Sequence, residues 1–251
     1  MEKHRIYDVA ENINEKNTQK FYDMRAQNTK NMECPYTAVL LGDQNPEHAA
    51  KWNIYENENI LPKLNITKNN NVLDIGCGMG RWAEKIIPLC GYYCGVDFSS
   101  EMIKVAKERN SGKSGNYEFL NYSFQDFVKE KAEELRGKFD RLIIAGVCMY
   151  INDDELEDVL TNLMKCFKKN SIFYLTETVG VERRLTLKEF YSEALKSDYD
   201  AIYRTPEEYK KYFEVIEKQG YVAIEQGFLP KLNNEQAYSE TDRWYSIYKT
   251  K

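Results

Sequence analysis

Acidic residues and glycines stand where two buried strands are predicted to end. Residues 72–75 are typical of a buried strand and include Asp74, and Gly76, Gly78 and Gly80 follow directly. Glycine lacks a Cβ, so this segment can turn tightly and let a ligand approach the backbone. The pattern predicts a strand, then a ligand-binding turn, then a helix.

A second strand-like run, residues 92–98, places Asp97 at its carboxyl end. A carboxylate at that point can accept hydrogen bonds from both hydroxyls of a ribose. The glycine spacing is Gly-x-Gly-x-Gly, whereas the dinucleotide fingerprint is Gly-x-Gly-x-x-Gly with a pyrophosphate at the helix N-terminus. The two segments therefore predict a nucleoside cofactor without a pyrophosphate, and they disfavour a nicotinamide oxidoreductase.

These segments resemble the first two motifs of the class I S-adenosylmethionine-dependent methyltransferases. The resemblance extends from about residue 67 to the C-terminus. The acid that is usual in the family's third segment is Ser123 here, and residues 167–170 replace the usual Leu-Lys-Pro-Gly-Gly turn. The segments that resemble the third motif, the fourth strand and the fifth strand are residues 119–126, 138–147 and 172–177.

The resemblance implies S-adenosyl-L-methionine as the cofactor and S-adenosyl-L-homocysteine as the product. It places the cofactor's amino-acid end at the glycine turn, the ribose at Asp97 and the adenine edge at Ser123 and Phe124. The other cofactor residues that it implies are Asp74, acting indirectly, the backbone of Gly76, Cys77 and Gly78, Phe98 near the adenine, and Gly146 and Val147 beneath the methionine part.

Residues 21–26 resemble the N-terminal cap helices that close over the cofactor in small-molecule members of this family. In such an arrangement Tyr22 borders the cofactor and Arg25 pairs with its carboxylate. The alternative is an ordinary amphipathic helix with a solvated arginine. We expect residues 1–66 to form a helical cap and residues 67–251 to form the cofactor-binding core.

Strand-like and helix-like segments alternate from Thr67 onward, which predicts an α/β fold with a parallel sheet. We expect a Rossmann-like, seven-stranded, mostly parallel sheet with helices on both faces, and the resemblance makes the last strand antiparallel. Residues 178–205 are longer than an ordinary connection and include a predicted helix over 186–196. An insertion of this kind often carries function, so we expect it near the substrate.

Three residues of that insertion are candidates for substrate binding. Arg184, Tyr203 and Arg204 could hold an anionic acceptor such as a phosphate or a sugar nucleotide, because guanidinium groups bind oxyanions in a bidentate manner. The alternative is a solvated charged face without a ligand.

Methyl transfer from a sulfonium is an in-line displacement, so alignment and exclusion of water carry most of the catalysis. A hydroxyl acceptor also needs a general base. The candidate bases are His48, which a cap could bring to the pocket, and Glu177, which ends the predicted fifth strand. Tyr150, which directly follows the fourth strand at the ligand edge of the sheet, is a third candidate catalytic residue. For His48, a surface histidine at a helix start is the alternative.

Composition bounds the partners of the chain. The net charge is −5 over 251 residues with basic and acidic residues interleaved, which disfavours a nucleic-acid substrate. Residues 1–5 lack a following apolar region, so no secretory signal is visible and we expect a cytoplasmic protein. The longest apolar run, residues 142–151, is too short to cross a membrane. Six scattered cysteines without a Cys-x-x-Cys pair indicate free thiols and no metal site.

The sequence therefore predicts a methyltransferase that acts on a small molecule. The layout of cap and core is similar to methyltransferases of bacterial surface-polysaccharide or natural-product clusters, which implies O-methylation of a saccharide or nucleotide-linked precursor of surface polysaccharide. N-methylation of a small amine is the alternative reaction. A non-catalytic module that binds S-adenosylmethionine is an alternative of a different class.

Overall fold

Strands and helices alternate along most of the chain in the computed structural model, which describes residues 4–41, 45–232 and 240–250. The strands are β1 (Arg5–Tyr7), β2 (Asn71–Ile75), β3 (Tyr92–Asp97), β4 (Tyr117–Asn121), β5 (Phe139–Ala145), β6 (Phe167–Gly180), β7 (Leu185–Ser192), β8 (Ser197–Tyr203), β9 (Tyr221–Phe228) and β10 (Thr241–Thr250). The helices are α1 (Glu15–Gln27), α2 (Thr37–Leu40), α3 (Pro46–Asn59), α4 (Ala83–Ile86), α5 (Ser100–Asn110), α6 (Phe124–Lys131), α7 (Asp153–Leu163) and α8 (Pro206–Glu217).

The main sheet has seven strands in the order β4-β3-β2-β5-β6-β10-β9. Neighbouring strands from β4 to β6 are parallel, and β10 runs antiparallel to both β6 and β9. The predicted fold class, including the antiparallel last strand, is confirmed. Because the strand order reverses at β2, the carboxyl ends of β2, β3 and β5 border a crevice, which is where open α/β sheets bind ligands.

Helices cover both faces of this sheet, since successive strand residues point to opposite sides. Leu73 and Ile75 of β2 pack with α6, α7 and α8, whereas Val72 packs with α3, α4 and α5. The central strands are therefore buried on both sides, which explains their continuous apolar runs. No helix among the described residues is long and apolar enough to span a membrane.

A second, three-stranded antiparallel sheet has the order β1-β7-β8. The prediction of a helix over residues 186–196 is wrong, because this segment forms the β7–β8 hairpin. Leu185 and Leu187 alternate inward and pack against Phe21 of α1, and β1 pairs with β7 from about 180 residues away in the chain. The pairing strand and the apolar partner are both distant in sequence, so local propensity does not reveal the hairpin.

The expected helical cap is consequently not purely helical. Residues 4–66 contain the helices α1, α2 and α3 and also the strand β1. Helix α1 begins after Asn14, whose side chain accepts a hydrogen bond from the Lys16 N–H at 3.1 Å, and it packs against α5 and β8. The N-terminal segment and the hairpin thus form one structure above the crevice.

Candidate functional site

A cleft opens at the carboxyl ends of β2, β3 and β5, and α1 and α2 border it from above. The predicted site residues that line it are Tyr22, Gly76, Gly78, Asp97, Phe98, Ser123, Phe124, Gly146, Val147 and Tyr150. The lining residues that sequence reasoning did not single out are Glu15, Val39, Ile75, Val96, Met102, Tyr122, Gln125, Ala145 and Ile151. The structure therefore brings together residues from the N-terminal helices and from four strand ends.

The glycine turn crosses the floor of this cleft. Gly76 and Gly78 have φ angles of +70° and +52°, and a Cβ on Gly76 would lie 2.2 Å from Cγ2 of Val147. The N–H groups of Gly76 and Cys77 donate to the carbonyl oxygen of Val96 at 2.8 and 3.0 Å. The turn is thus bound to β3, and the buried Cys77 thiol lies outside the cleft lining.

Asp74 lies behind the turn and does not line the cleft. Its carboxylate accepts a hydrogen bond of 2.6 Å from the Tyr93 hydroxyl. Burial raises the pKa of Asp74 to about 7. An indirect contribution, through the position of the turn, is the only one that this placement allows.

Asp97 connects the turn to the end of β3. Its Oδ2 accepts the Gly78 N–H at 2.9 Å and its Oδ1 accepts the Ser99 N–H at 2.9 Å. Burial raises the pKa of Asp97 to about 6, and these two backbone hydrogen bonds oppose that increase. A carboxylate oxygen can accept more than one hydrogen bond, so Asp97 can hold both the turn and a ribose at this edge. Phe98 lies beside it in the lining.

The predicted adenine edge of the site lies at the start of α6. The Ser123 hydroxyl accepts the Asp126 N–H at 3.0 Å and donates to the Asp126 carboxylate at 2.7 Å. Ser123 is thus the N-cap of α6, which occupies its side chain. Phe124 borders the cleft and also packs into the core beneath α6.

The loop after β5 is held by Glu177. Its Oε1 accepts the N–H groups of Val147 and Cys148 at 3.1 and 2.8 Å, and its Oε2 accepts that of Met149 at 3.2 Å. Burial raises the pKa of Glu177 to about 7. Both oxygens bind backbone donors and the residue does not line the cleft, so the structure does not bring this candidate base to the site. Glu177 positions the loop that includes Gly146.

Three phenols form a chain from α1 of the cap through the loop after β5 to the β7–β8 hairpin, and two of them, Tyr150 and Tyr199, are buried. The Tyr22 and Tyr150 hydroxyls are 2.7 Å apart, and the Tyr150 and Tyr199 hydroxyls are 2.7 Å apart. Burial raises the pKa of Tyr22 to about 12 and that of Tyr150 well above its ordinary value, so both phenols are neutral at physiological pH. Sequence reasoning missed Tyr199, since the hairpin that presents it was not predicted. Tyr203 packs against the same cluster.

Arg25 lies inside the cap. Its Nε donates to the carbonyl oxygen of Ala38 at 2.9 Å and its Nη2 to that of Thr37 at 2.5 Å. The guanidinium also lies 5.3 Å from the ring centre of Phe21. Arg25 is buried and does not line the cleft, so the structure does not bring it to the position predicted for pairing with a cofactor carboxylate. The residue joins α2 to α1.

Arg184 and Arg204 share one partner, Asp153. Arg204 bonds to Asp153 through Nε at 2.8 Å and to the carbonyl oxygens of Cys148 and Ile151 at 2.8 and 2.7 Å. Arg184 forms an ion pair with the other oxygen of Asp153 at 2.7 Å. The two guanidiniums are paired within the protein and lie outside the cleft lining. The structure therefore does not bring these two candidates to the cleft, and Arg184 instead borders a second depression together with Asp153 and Glu208.

His48 is on α3, where its ring centre lies 6.3 Å from that of Trp52. Trp52 is buried, and the Arg243 guanidinium lies 4.4 Å from the centre of its ring. His48 is not among the cleft-lining residues, so the structure does not bring this candidate base to the site. Among the described residues, no group of three or more His, Cys, Asp or Glu side chains is arranged to hold a metal ion.

The sheet order, the glycine turn and the acid at the end of β3 define a class I S-adenosylmethionine-dependent methyltransferase. A family model described as a methyltransferase domain matches residues 66–250, and the chain belongs to that family. The match begins one residue before residue 67, from which the resemblance of the sequence extends.

Two curated relatives are phosphoethanolamine N-methyltransferases. That of Caenorhabditis elegans is 30% identical over 119 residues, which are 47% of this chain and 24% of the relative. That of Zea mays is 21% identical over 202 residues, which are 80% of this chain and 36% of the relative. The chain thus spans only about a quarter to a third of the length of these relatives.

Solved structures share the fold at low identity. Haemonchus contortus phosphoethanolamine N-methyltransferase 1, solved with phosphoethanolamine and S-adenosylhomocysteine, has a TM-score of 0.68 at 17% identity, and the match covers 92% of this chain and 49% of that one. The complex of DhpI with S-adenosylhomocysteine has a TM-score of 0.59 at 15% identity, and the match covers 94% of this chain and 96% of that one.

Proposed function

We propose that the protein transfers the methyl group of S-adenosylmethionine to the amine nitrogen of a small molecule. The N-methyltransferase relatives support this reaction. O-methylation of a saccharide or nucleotide-linked precursor, which the sequence favours, is the competing proposal, and the lining of the cleft supports N-methylation over it.

The cleft lining fits the cofactor. Gly76 and Gly78 leave space where a Cβ would meet Val147 or Val39, and Asp97 borders the cleft at the expected ribose position. Within the described lining the charged side chains are Glu15 and Asp97, both acidic. Such a lining suits a ligand with a positive sulfonium centre better than one with a pyrophosphate. When bound, S-adenosylmethionine supplies an electrophilic methyl group.

The observation that carries the proposal is the phenol pair at the cleft. Tyr22 and Tyr150 both line it, and Tyr199 lies behind Tyr150. An aromatic face attracts a cationic or partly cationic amine, and a phenol oxygen can accept an N–H and so orient the nitrogen lone pair. The attacking form is the neutral amine, which the ammonium reaches by losing a proton to water, so no side-chain base is needed in the cleft. The C–S bond breaks as the N–C bond forms, and the products are a methylammonium and S-adenosylhomocysteine. A hydroxyl acceptor does need a base, and neither Glu177 nor His48 lines the cleft.

The same lining restricts which groups the acceptor can carry besides its amine. No Lys, Arg or His stands among the described residues of the cleft, and Arg184 and Arg204 are paired with Asp153. A phosphate buried without a cation is strongly disfavoured. We therefore favour an acceptor without a phosphate, an ethanolamine-like or amino-sugar amine, over phosphoethanolamine or a sugar nucleotide.

A cofactor assay comes first. S-adenosylhomocysteine should raise the melting temperature and NAD should not, with a stabilisation of about 2.7 kcal/mol at a ligand concentration 100-fold above Kd. Stabilisation by NAD alone would contradict the cofactor assignment.

A methyl-transfer assay with a panel of small molecules tests which kind of acceptor the protein uses. The panel contains ethanolamine, N-methylethanolamine, phosphoethanolamine, an amino sugar and a hydroxyl-only saccharide. We expect turnover with unphosphorylated amines, and we expect Tyr150→Phe to lower kcat/KM about fivefold to tenfold, the effect of one hydrogen bond. The matched control is Tyr191→Phe, since Tyr191 is exposed on β7.

Methylation of the saccharide hydroxyl alone would overturn the N-methylation proposal in favour of O-methylation. Retention of S-adenosylhomocysteine without turnover on any acceptor would support a non-catalytic binding module. A strong preference for phosphoethanolamine would contradict the argument from the uncharged and acidic lining, and would leave N-methylation itself intact.

A further inference from the structure

The adenine edge of the cleft lacks the acid that the family resemblance leads one to expect. Ser123 stands in that position, and its hydroxyl is occupied as the N-cap of α6. A serine in this arrangement carries no charge, and its hydroxyl hydrogen is already donated to Asp126. The exocyclic amine of an adenine therefore needs an acceptor from another part of the chain.

Glu15 is the acidic side chain that the structure brings to this edge. It is the first residue of α1 and lines the cleft together with Ser123, Phe124 and Gln125. The Gln125 side-chain amide donates to Glu15 and, at 3.2 Å, to Glu155 of α7. The two carboxylates and the amide thus lie together between the starts of α1, α6 and α7.

The electrostatics of this group favour a further donor. Burial, and then the Glu155 carboxylate beside it, raise the pKa of Glu15 above its ordinary value, and Asp126 of α6 adds to the repulsion. Gln125 is a neutral donor that is shared between the two glutamates. A ligand N–H directed at Glu15 would stabilise its charged form, because hydrogen bonding to an ionised carboxylate is stronger than to a neutral group.

Two hydrogen bonds hold helix α1 in the position that this contact requires. The Gln19 amide donates to the carbonyl oxygen of Phe98 at 2.9 Å, and the Ser99 hydroxyl donates to Asp23 at 2.6 Å. Phe98 and Ser99 directly follow Asp97, the ribose candidate at the end of β3. The same helix that carries Glu15 is thus fixed to the strand end that would hold the neighbouring part of the nucleoside.

We propose that Glu15 accepts a hydrogen bond from the exocyclic amine of the cofactor's adenine. The acid missing at position 123 is supplied by the cap, from a much earlier part of the chain. Recognition of the base therefore requires α1 to be in place, and adenine binding in turn stabilises the closed cap. The inference rests on cofactor binding in this cleft and is independent of the acceptor.

The test compares two ligands in calorimetric titrations without any acceptor. S-inosylhomocysteine differs from S-adenosylhomocysteine in having a carbonyl oxygen where adenine has the amine. The wild-type protein should bind S-adenosylhomocysteine at least about tenfold more tightly. Glu15→Ala should weaken S-adenosylhomocysteine about tenfold and leave S-inosylhomocysteine nearly unchanged, so that most of the discrimination is lost.

Two further variants make the test specific. Glu11→Ala removes a glutamate of the same segment that pairs with Lys188 of β7 and lies outside the cleft lining, and it should keep the wild-type discrimination. Glu15→Gln keeps the size of the side chain and offers an amide N–H to the inosine carbonyl, so it should reduce or reverse the preference. Equal weakening of both ligands by Glu15→Ala would show a merely structural role and overturn the proposal, as would unchanged discrimination in Glu15→Gln.

Failure of this experiment is distinguishable from failure of the proposed function. If both Glu15 variants bind S-adenosylhomocysteine as the wild type does, the adenine contact is wrong while the methyltransferase assignment stands. If amine acceptors are not methylated, the discrimination between the two nucleosides remains the deciding measurement for Glu15.

Discussion

The floor and the roof of the cleft are built by different interactions. The floor, residues 71–98 and 139–151, is joined by the backbone pairing of parallel strands, and the carboxylates of Asp97 and Glu177 accept N–H groups of its loops. The roof, residues 5–41 and 185–203, is joined to it by side-chain contacts such as Tyr22 with Tyr150 and Gln19 with Phe98. Fewer backbone bonds tie the roof down, so we expect it to open at lower free energy than the floor. We therefore expect the cofactor contact of Asp97 in the floor to persist, and that of Glu15 in the roof to be lost, when the roof opens.

Substitution of Arg204 is expected to have the largest effect, and it tests whether this residue binds substrate or stabilises the fold. Arg204→Met removes a fully buried cation and leaves Asp153 with one partner fewer. Breaking a buried ion pair costs about 3–5 kcal/mol, so denaturant unfolding should show a loss of that size. The matched control Arg183→Met, at an exposed site, should lie within about 0.5 kcal/mol of wild type. A folded Arg204→Met protein with unchanged stability and a raised acceptor KM would instead restore the substrate role.

Gly76→Ala tests the close packing of the floor. The new Cβ would lie 2.2 Å from Val147 at a φ of +70°, so overpacking of about 1–3 kcal/mol adds to the strain of the left-handed conformation. We expect a lower melting temperature and loss of measurable S-adenosylhomocysteine binding. Gly112→Ala has a similar φ of +78° with nothing within 4 Å, and it isolates the backbone strain. Equal effects of the two substitutions would show that the contact with Val147 is unimportant.

Glu177→Gln tests whether that residue acts as a general base or holds the loop after β5 in position. The amide can accept from Val147 and Cys148, but its NH2 group meets the Met149 N–H, and an unsatisfied buried donor costs about 1–3 kcal/mol. The effect on kcat should be smaller than the effect on stability, and the pH profile of kcat should be unchanged. A fall in kcat of about 10²-fold or more without a loss of stability would identify a base.

The pH dependence of stability gives a second readout for Glu177. Its folded pKa, about 7, exceeds the ordinary value of 4.5, so the folded state binds the additional proton. Its contribution to stability is therefore fully present below about pH 4.5 and is lost as the pH rises through about 7. Unfolding measured from about pH 4.5 to about pH 8 should show this slope in the wild type and a flatter one in Glu177→Gln.

Asp97→Ala is expected to weaken S-adenosylhomocysteine at least about tenfold, because charge-assisted hydrogen bonds to the ribose are lost. The structure adds a loss of stability, since the N–H groups of Gly78 and Ser99 lose their acceptor. Asp97→Asn keeps one acceptor and should be intermediate in both measurements. Wild-type affinity in a folded Asp97→Ala protein would move the cofactor site elsewhere.

The smallest expected effect is that of His48→Ala. The ring packs beside Trp52 outside the cleft, so kcat/KM should change less than about twofold, as for a surface substitution. A decrease of about 10²-fold or more would show that α3 approaches the site during turnover. That result would add α3 to the segments that form the roof of the cleft during turnover.

The floor could be predicted from the sequence because its signals are local. Strand runs that end in Asp97 or in the Gly76 turn occupy a few consecutive positions, and parallel strands bring their carboxyl ends together without further information. Arg25 and Glu177 lie in the expected helix and strand, but their side chains bind backbone groups away from the cleft lining. A short sequence pattern indicates where a side chain begins, and not which carbonyl or N–H lies within reach of its end.

The sequence by itself determined the fold class, the position of the glycine turn and the acid at the end of β3, since each follows from residues near one another in the chain. Only the tertiary structure decided that residues 186–196 are part of a hairpin, because its partners β1 and Phe21 lie in the distant N-terminal segment. It alone joined Tyr22, Tyr150 and Tyr199, and it alone carried Glu15 to the edge where Ser123 lacks a charge. Such contacts depend on distances between side chains of remote segments, and these distances exist only after the sheet and its cap have packed together.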